Sequence, residues 1–231
     1  MAEYRDEVPF NDLETTGKQG KYFEAKELVQ DPDLIVKEAR TKWGMFETKG
    51  VHPLNDLERI KEDLAIVKDN FAEFIPETNL VVGKNQKGKE VVYIVQHKIH
   101  GLELKDAKPD EETISQLRIF FEAVVVAYIK NLYYPKNSQE PSSIFPDIKG
   151  WNFIVGRDNK IGGQEGRLYF VDTYPVEGST VSYFLEEYIP SIVRPTFPEW
   201  CHPLIDEFRL KATKRLEEYI KEKDDQIPKV I

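Results

Sequence analysis

Asp147, Lys149 and Asn152 fall within one short segment, Phe145-Pro146-Asp147-Ile148-Lys149-Gly150-Trp151-Asn152, and a further carboxylate, Asp172, follows an apolar run. An aspartate with an asparagine five residues on can divide two tasks. The carboxylate orients or deprotonates a hydroxyl, and the amide oxygen, hard and neutral, suits a divalent ion such as Mg2+. Lys149 adds positive charge where a phosphoryl group would migrate, and Asp172 supplies an anionic metal ligand. Residues of these types at these spacings point to phosphoryl transfer, a chemistry carried mostly by positioning and electrostatics.

For these residues to meet, the chain around them must fold back on itself. The runs WNFIVG and RLYFVDTY are predicted strands, separated by a turn containing Gly162, Gly163 and Gly166. A hairpin of the two places Asn152 at its start beside Asp172 at its end. A long apolar-rich helix, Asp110 to Tyr134, and a polar linker, Pro135 to Ser143, precede the segment. Helices from Thr180 to Val193 and from Trp200 to Lys223 follow it, with a joint at Pro195 and Pro198.

The first hundred residues have a different character. KYFEAKELV and DLIVKEAR read as strands with a turn at Asp31-Pro32-Asp33, and one more strand is possible before Gly17. From Pro53 to Phe74 the apolar residues Leu57, Ile60, Leu64, Val67 and Phe71 recur at helical intervals, with Asn55 as N-cap and Glu58 as its capping-box partner. NLVVGKN and KEVVYIVQ then form a hairpin across Asn85-Gln86-Lys87-Gly88. The expected organisation is a loosely held N-terminus (1–12), a β-rich lobe (13–100) and a helical lobe (101–231), divided near His100-Gly101.

Asp147-Ile148-Lys149-Gly150-Trp151-Asn152 is similar to the D-[LI]-K-x-x-N catalytic loop of the protein-kinase-like superfamily, and Val171-Asp172-Thr173 resembles its metal-binding D-F-G segment. The resemblance runs from about Leu13 to Tyr188. It implies a bilobal α+β kinase-like fold, with one long helix in the β-rich N-lobe and a reduced helical C-lobe, and it implies ATP and Mg2+ as cofactors. By the same resemblance Asp147 and Lys149 are catalytic, and Asn152 and Asp172 hold the metal. Lys37 grips the α- and β-phosphates, and Gly17 and Gly20 stand where the family carries its glycine-rich loop. The Gln96 carbonyl and the Lys98 amide bind adenine. Glu62 pairs with Lys37, with Glu58 as the other candidate, although both lie off the helix's apolar stripe.

The departures from the family pattern are informative. The histidine usual two places before the catalytic aspartate is Phe145, the residues after Asp172 are Thr173 and Tyr174, and no A-P-E motif is present. Only about ten residues separate Asp172 from the next predicted helix, too few to dock a polypeptide. These features resemble the small-molecule, aminoglycoside- and choline-kinase-like branch. The expected activity is transfer to a hydroxyl acceptor, a small molecule. A kinase-like module that binds a nucleotide or protein without catalysis, and transfer of AMP in place of phosphate, stand as alternatives.

Composition narrows the partners. A net charge of −9 disfavours a nucleic-acid surface, which needs clustered Lys and Arg. The apolar stretch from Phe120 to Ile129 is interrupted by Glu122 and too short to span a bilayer, so no membrane is expected. A single cysteine, Cys201, and an acidic start fit a cytoplasmic protein without disulfides. His52, His97, His100 and His202 show no spacing of a zinc site.

Overall fold

β-branched and aromatic residues concentrate the strands where the sequence alternates or runs apolar, and the computed structural model resolves them into three antiparallel sheets with several helices. It describes residues 13–14, 25–28, 31–38, 57–84, 90–136, 140–172 and 175–226. The first sheet takes β1 (Leu13–Glu14), β2 (Ala25–Leu28), β3 (Asp31–Glu38), β4 (Thr78–Lys84) and β5 (Glu90–His97) in the order β1-β2-β3-β5-β4. The expected turn at Asp31-Pro32-Asp33 lies instead inside β3. The β2–β3 register slips here, with Glu27 opposite Ile35 but Leu28 opposite Asp31. Pro32 falls in that irregularity, where its missing N–H removes no ladder bond.

Helix α1 (Leu57–Phe71) crosses this sheet. Ile60 and Leu64 pack on Leu80, Val92 and Ile94, while Val67 and Phe71 enter a second, larger core. The expected residues 53–56 of the helix, Asn55 among them, lie outside the described residues, as do the expected turn at 85–88 and the N-terminal segment 1–12. Helix α2 (Glu111–Lys130) starts at Asp110, whose carboxylate accepts the Thr113 N–H at 2.7 Å. That bond holds the Asp110 carboxyl below its usual range.

Three strands were not anticipated. β6 (Ile99–Glu103) pairs with β8 (Phe153–Asp158), which pairs in turn with β9 (Arg167–Phe170). The division expected at His100-Gly101 thus falls in the middle of a paired strand. Gly101 faces Gly156 across the β6–β8 ladder, and a Cβ on either would stand 2.2 or 2.3 Å from a carbonyl oxygen of the opposite strand. β7 (Ser142–Pro146) occupies the end of the expected linker and pairs with β10 (Pro175–Thr180). A π-helical segment, Tyr183–Val193, and helix α3 (His202–Gln226) complete the chain. No helix among the described residues is long and apolar enough to cross a membrane.

Phe120 of α2 sits at the centre of the larger core. Its ring lies 5.1 Å from Phe71, 5.3 Å from Phe74, 4.9 Å from Phe153 and 5.1 Å from Phe170. The first two rings belong to α1 and the turn after it, the last two to the β8–β9 hairpin. One side chain therefore packs against both α1 with its following turn and the β8–β9 hairpin. Truncating it leaves a cavity that four aromatic neighbours cannot readily fill. Phe120→Ala is expected to lower the unfolding free energy by about 3–5 kcal/mol, measured by urea denaturation.

Candidate active site

Two ladders bring the chemical residues together. β7 ends at Pro146, one residue before Asp147, and β10 begins at Pro175, opposite Pro146. β8 begins one residue after Asn152, and β9 ends two residues before Asp172, with Phe153 opposite Phe170. The hairpin expected from sequence thus forms, and the Val171 N–H donates to the Asn152 carbonyl at 2.8 Å. A single turn of 3-10 helix, Gly150–Asn152, then aims the Asn152 side chain inward.

The Asn152 amide nitrogen donates one hydrogen to the Asp147 carbonyl at 2.8 Å and another to the Asp172 carboxylate at 2.9 Å. With both N–H groups engaged, the amide oxygen is the atom left to act as a ligand. Asp147 is buried, 3% exposed, and its two carboxylate oxygens have different partners. The Lys149 ammonium donates to Oδ2 at 2.6 Å and the Tyr188 hydroxyl to Oδ1 at 2.7 Å. The Lys149 ammonium also stands 5.7 Å from the ring of Trp151, an exposed aromatic beside the site. Gly150 cannot be larger. A Cβ there would stand 2.1 Å from the Thr196 carbonyl oxygen.

Lys37 reaches this group from β3. Its ammonium donates to the Val171 carbonyl at 2.8 Å and to the Gln96 side-chain oxygen at 3.3 Å. Gln96, buried, donates onward to the Thr78 hydroxyl at 3.0 Å, which donates to the Pro76 carbonyl at 2.7 Å. Burial pushes the Lys37 ammonium below its ordinary value of 10.5, and the Asp172 carboxylate opposes that shift. The lysine and the aspartate are therefore in each other's field.

Asp147, Lys149, Asn152, Asp172 and Lys37 thus share one site. Other expected contacts differ. Glu62 is exposed, and among the described residues Lys37 pairs with neither it nor Glu58, which binds Lys61 at 2.6 Å. The buried stripe Ile60, Leu64, Val67 and Phe71 turns both glutamates away from the sheet. The Lys98 N–H, expected to meet adenine, donates to the Asp33 carbonyl at 2.7 Å, and Gln96 is held in the ladder between Ile35 and Thr78. It is the Gln96 side chain that faces the site. Gly17, Gly20, Thr173 and Tyr174 lie outside the described residues.

Two participants escaped the sequence reading. Tyr188 is one, and the Thr78–Gln96 relay is the other. A buried tyrosine or glutamine must find a polar partner, but sequence does not say which. The described histidines are engaged elsewhere, His97 with Asp158 at 2.8 Å, His100 with Asp33 at 2.7 Å and His202 with the Phe197 carbonyl at 3.3 Å, and His52 lies outside the described residues. Cys201 is buried, which pushes its thiol up to about 12.

A scan against protein-family models finds no match, and a search of curated proteins finds none either. Among solved structures the chain is similar to the bifunctional kinase-methyltransferase WbdD, at 13% identity and a TM-score of 0.38. The likeness covers 90% of this chain and 47% of that one, so the chain spans about half the length of that protein.

The Lys37 shift has a thermodynamic consequence. The folded state holds this proton less tightly than the unfolded chain does, so the buried charge opposes folding below its folded pKa. That opposition fades as pH rises through the folded pKa toward 10.5. Lys37→Met removes the titration. Its stability relative to the wild type should fall as pH rises toward 10.5, read from thermal melts along that rise.

Proposed function

We propose that the protein is a kinase-like phosphotransferase that moves a phosphoryl group from ATP, with Mg2+, to a hydroxyl on a small-molecule acceptor. The observation that carries this reading is the Asn152 side chain, which joins the Asp147 loop to the Asp172 carboxylate while leaving its own oxygen to serve as a ligand. The same reading takes the chain as a bilobal kinase-like fold, with a β-rich lobe and a helical lobe.

The donor set fits Mg2+. One carboxylate and one amide oxygen are hard ligands, and magnesium is commonly held by one or two carboxylates together with substrate phosphates and water. Asn152 and Asp172 would hold the ion, which would offset the negative charge of the phosphates when bound. Lys37, already anchored on the Val171 carbonyl beside Asp172, supplies a fixed positive charge for the α- and β-phosphates. Asp147 orients the acceptor hydroxyl and accepts its proton. Lys149, held against Asp147, offers a cation to the transferring group. Transfer of this kind runs directly from donor to acceptor by electrostatic positioning and requires no covalent phosphoryl-protein intermediate.

The engagement of the Lys98 amide by Asp33 favours a second reading, a module that binds a partner without turnover. The two are separated by thermal shift with ATP, with and without Mg2+. The phosphotransferase reading expects stabilisation that requires the metal, and the module reading expects no Mg2+-dependent response. Asp147→Ala and Asp172→Ala are each expected to lower phosphate transfer from ATP by about 100-fold or more without altering the fold. Turnover at the wild-type rate in either variant would refute the assignment; phosphate release and circular dichroism supply the two measurements.

A further inference from the structure

We propose that Tyr188 is the positioning residue for Asp147, a role that rests on reading Asp147 as the group that meets the acceptor hydroxyl. Its phenolic oxygen makes two bonds to consecutive residues. It donates to the Asp147 carboxylate at 2.7 Å and accepts the Ile148 N–H at 3.1 Å. One hydroxyl thereby fixes both the side chain of Asp147 and the backbone that follows it. The carboxylate cannot turn about its terminal bond without breaking this contact and the Lys149 bond on the other oxygen. Each carboxylate oxygen can accept more than one hydrogen bond, so both restraints leave acceptor capacity for a substrate hydroxyl.

The surroundings of Tyr188 are built to hold the ring still. It is 3% exposed, edge-on to Phe145 at 5.0 Å and nearly parallel to Phe184 at 6.1 Å. Burial and the neighbouring Asp147 charge push its hydroxyl well above the ordinary value of 10.0, so it stays a donor across the working range of pH. The wide π-helical turn of Tyr183–Val193 carries the residue, a geometry that recurs at functional sites. The next stretch of chain grips the same loop independently. The Gly150 N–H donates to the Thr196 hydroxyl at 2.8 Å. In this chain Phe145 stands where a kinase-like loop carries histidine, and the tyrosine reaches the aspartate from a different element.

Tyr188→Phe keeps the ring and removes only the hydroxyl. With Mg2+-ATP and water as the acceptor, kcat for phosphate release is expected to fall about 10- to 100-fold with KM for ATP unchanged, since small misplacements of a reacting group cost that much. Amide exchange of Ile148, followed by NMR, should quicken in the same variant because its N–H loses this acceptor. An unchanged kcat, an unchanged Ile148 exchange rate, or a parallel loss of ATP affinity and thermal stability overturns the proposal. Asp147→Ala run alongside separates the two levels. If it is inactive while Tyr188→Phe is as fast as wild type, the positioning role fails and the phosphotransferase reading stands. If Asp147→Ala is fully active, or the wild type releases no phosphate, the reading beneath the proposal is overturned.

Discussion

The two hydrogens of the Asn152 amide hold the candidate site together. One binds the loop that leaves β7, and the other binds the carboxylate that follows β9. Neither ladder places those atoms side by side unaided, because Asp147 and Asp172 both lie beyond the ends of their strands. The remaining contacts are arranged around this bridge. Lys37 reaches the carbonyl of Val171, the residue before Asp172, and Lys149 folds back onto Asp147. A hydrogen bond to a carboxylate is stronger than one between neutral groups, which suits a join that must keep its geometry.

Burial sets the electrostatic character of the site. Asp147 is almost wholly enclosed, and burial pulls the Lys37 ammonium below its ordinary value while the Asp172 charge opposes that pull. Such charges cost folding energy unless they are paired and hydrogen-bonded. Each has partners here, and the Gln96–Thr78–Pro76 relay carries the pairing of Lys37 on into the first sheet. A molecule built for stability alone would place apolar side chains at these positions. Polar groups held in a low-dielectric setting at a fixed distance are a form of preorganisation.

Much of this was legible in the sequence. The periodic apolar residues of α1, the long apolar-rich run of α2, the β8–β9 hairpin and the meeting of Asn152 with Asp172 follow from local pattern and turn chemistry. What escaped the reading was non-local. β6, β7 and β10 are short, and they exist because distant partners complete their ladders. Pro32 read as a turn residue, but a slip in register gave it a place within a strand. Glu58 and Glu62 were candidates by resemblance, and their position off the apolar stripe of α1 was the better guide. Tyr188 carries no local signal, since its partner lies 41 residues away in sequence.

The aromatic cluster around Phe120 has a further consequence. The rings of Phe71 and Phe74 come from α1 and its following turn, those of Phe153 and Phe170 from the hairpin flanking Asn152 and Asp172. Close-packed interiors transmit displacement because they have little room to absorb it. A tilt of α1 would therefore reach the hairpin by three routes: the shared Phe120 ring, the direct Phe71–Phe170 contact at 6.5 Å, and the Phe170 N–H, which donates to the Phe74 carbonyl at 2.7 Å. The core is then a coupling as well as a filler, and a displacement of α1 would bear on the hairpin that runs from Asn152 to Asp172.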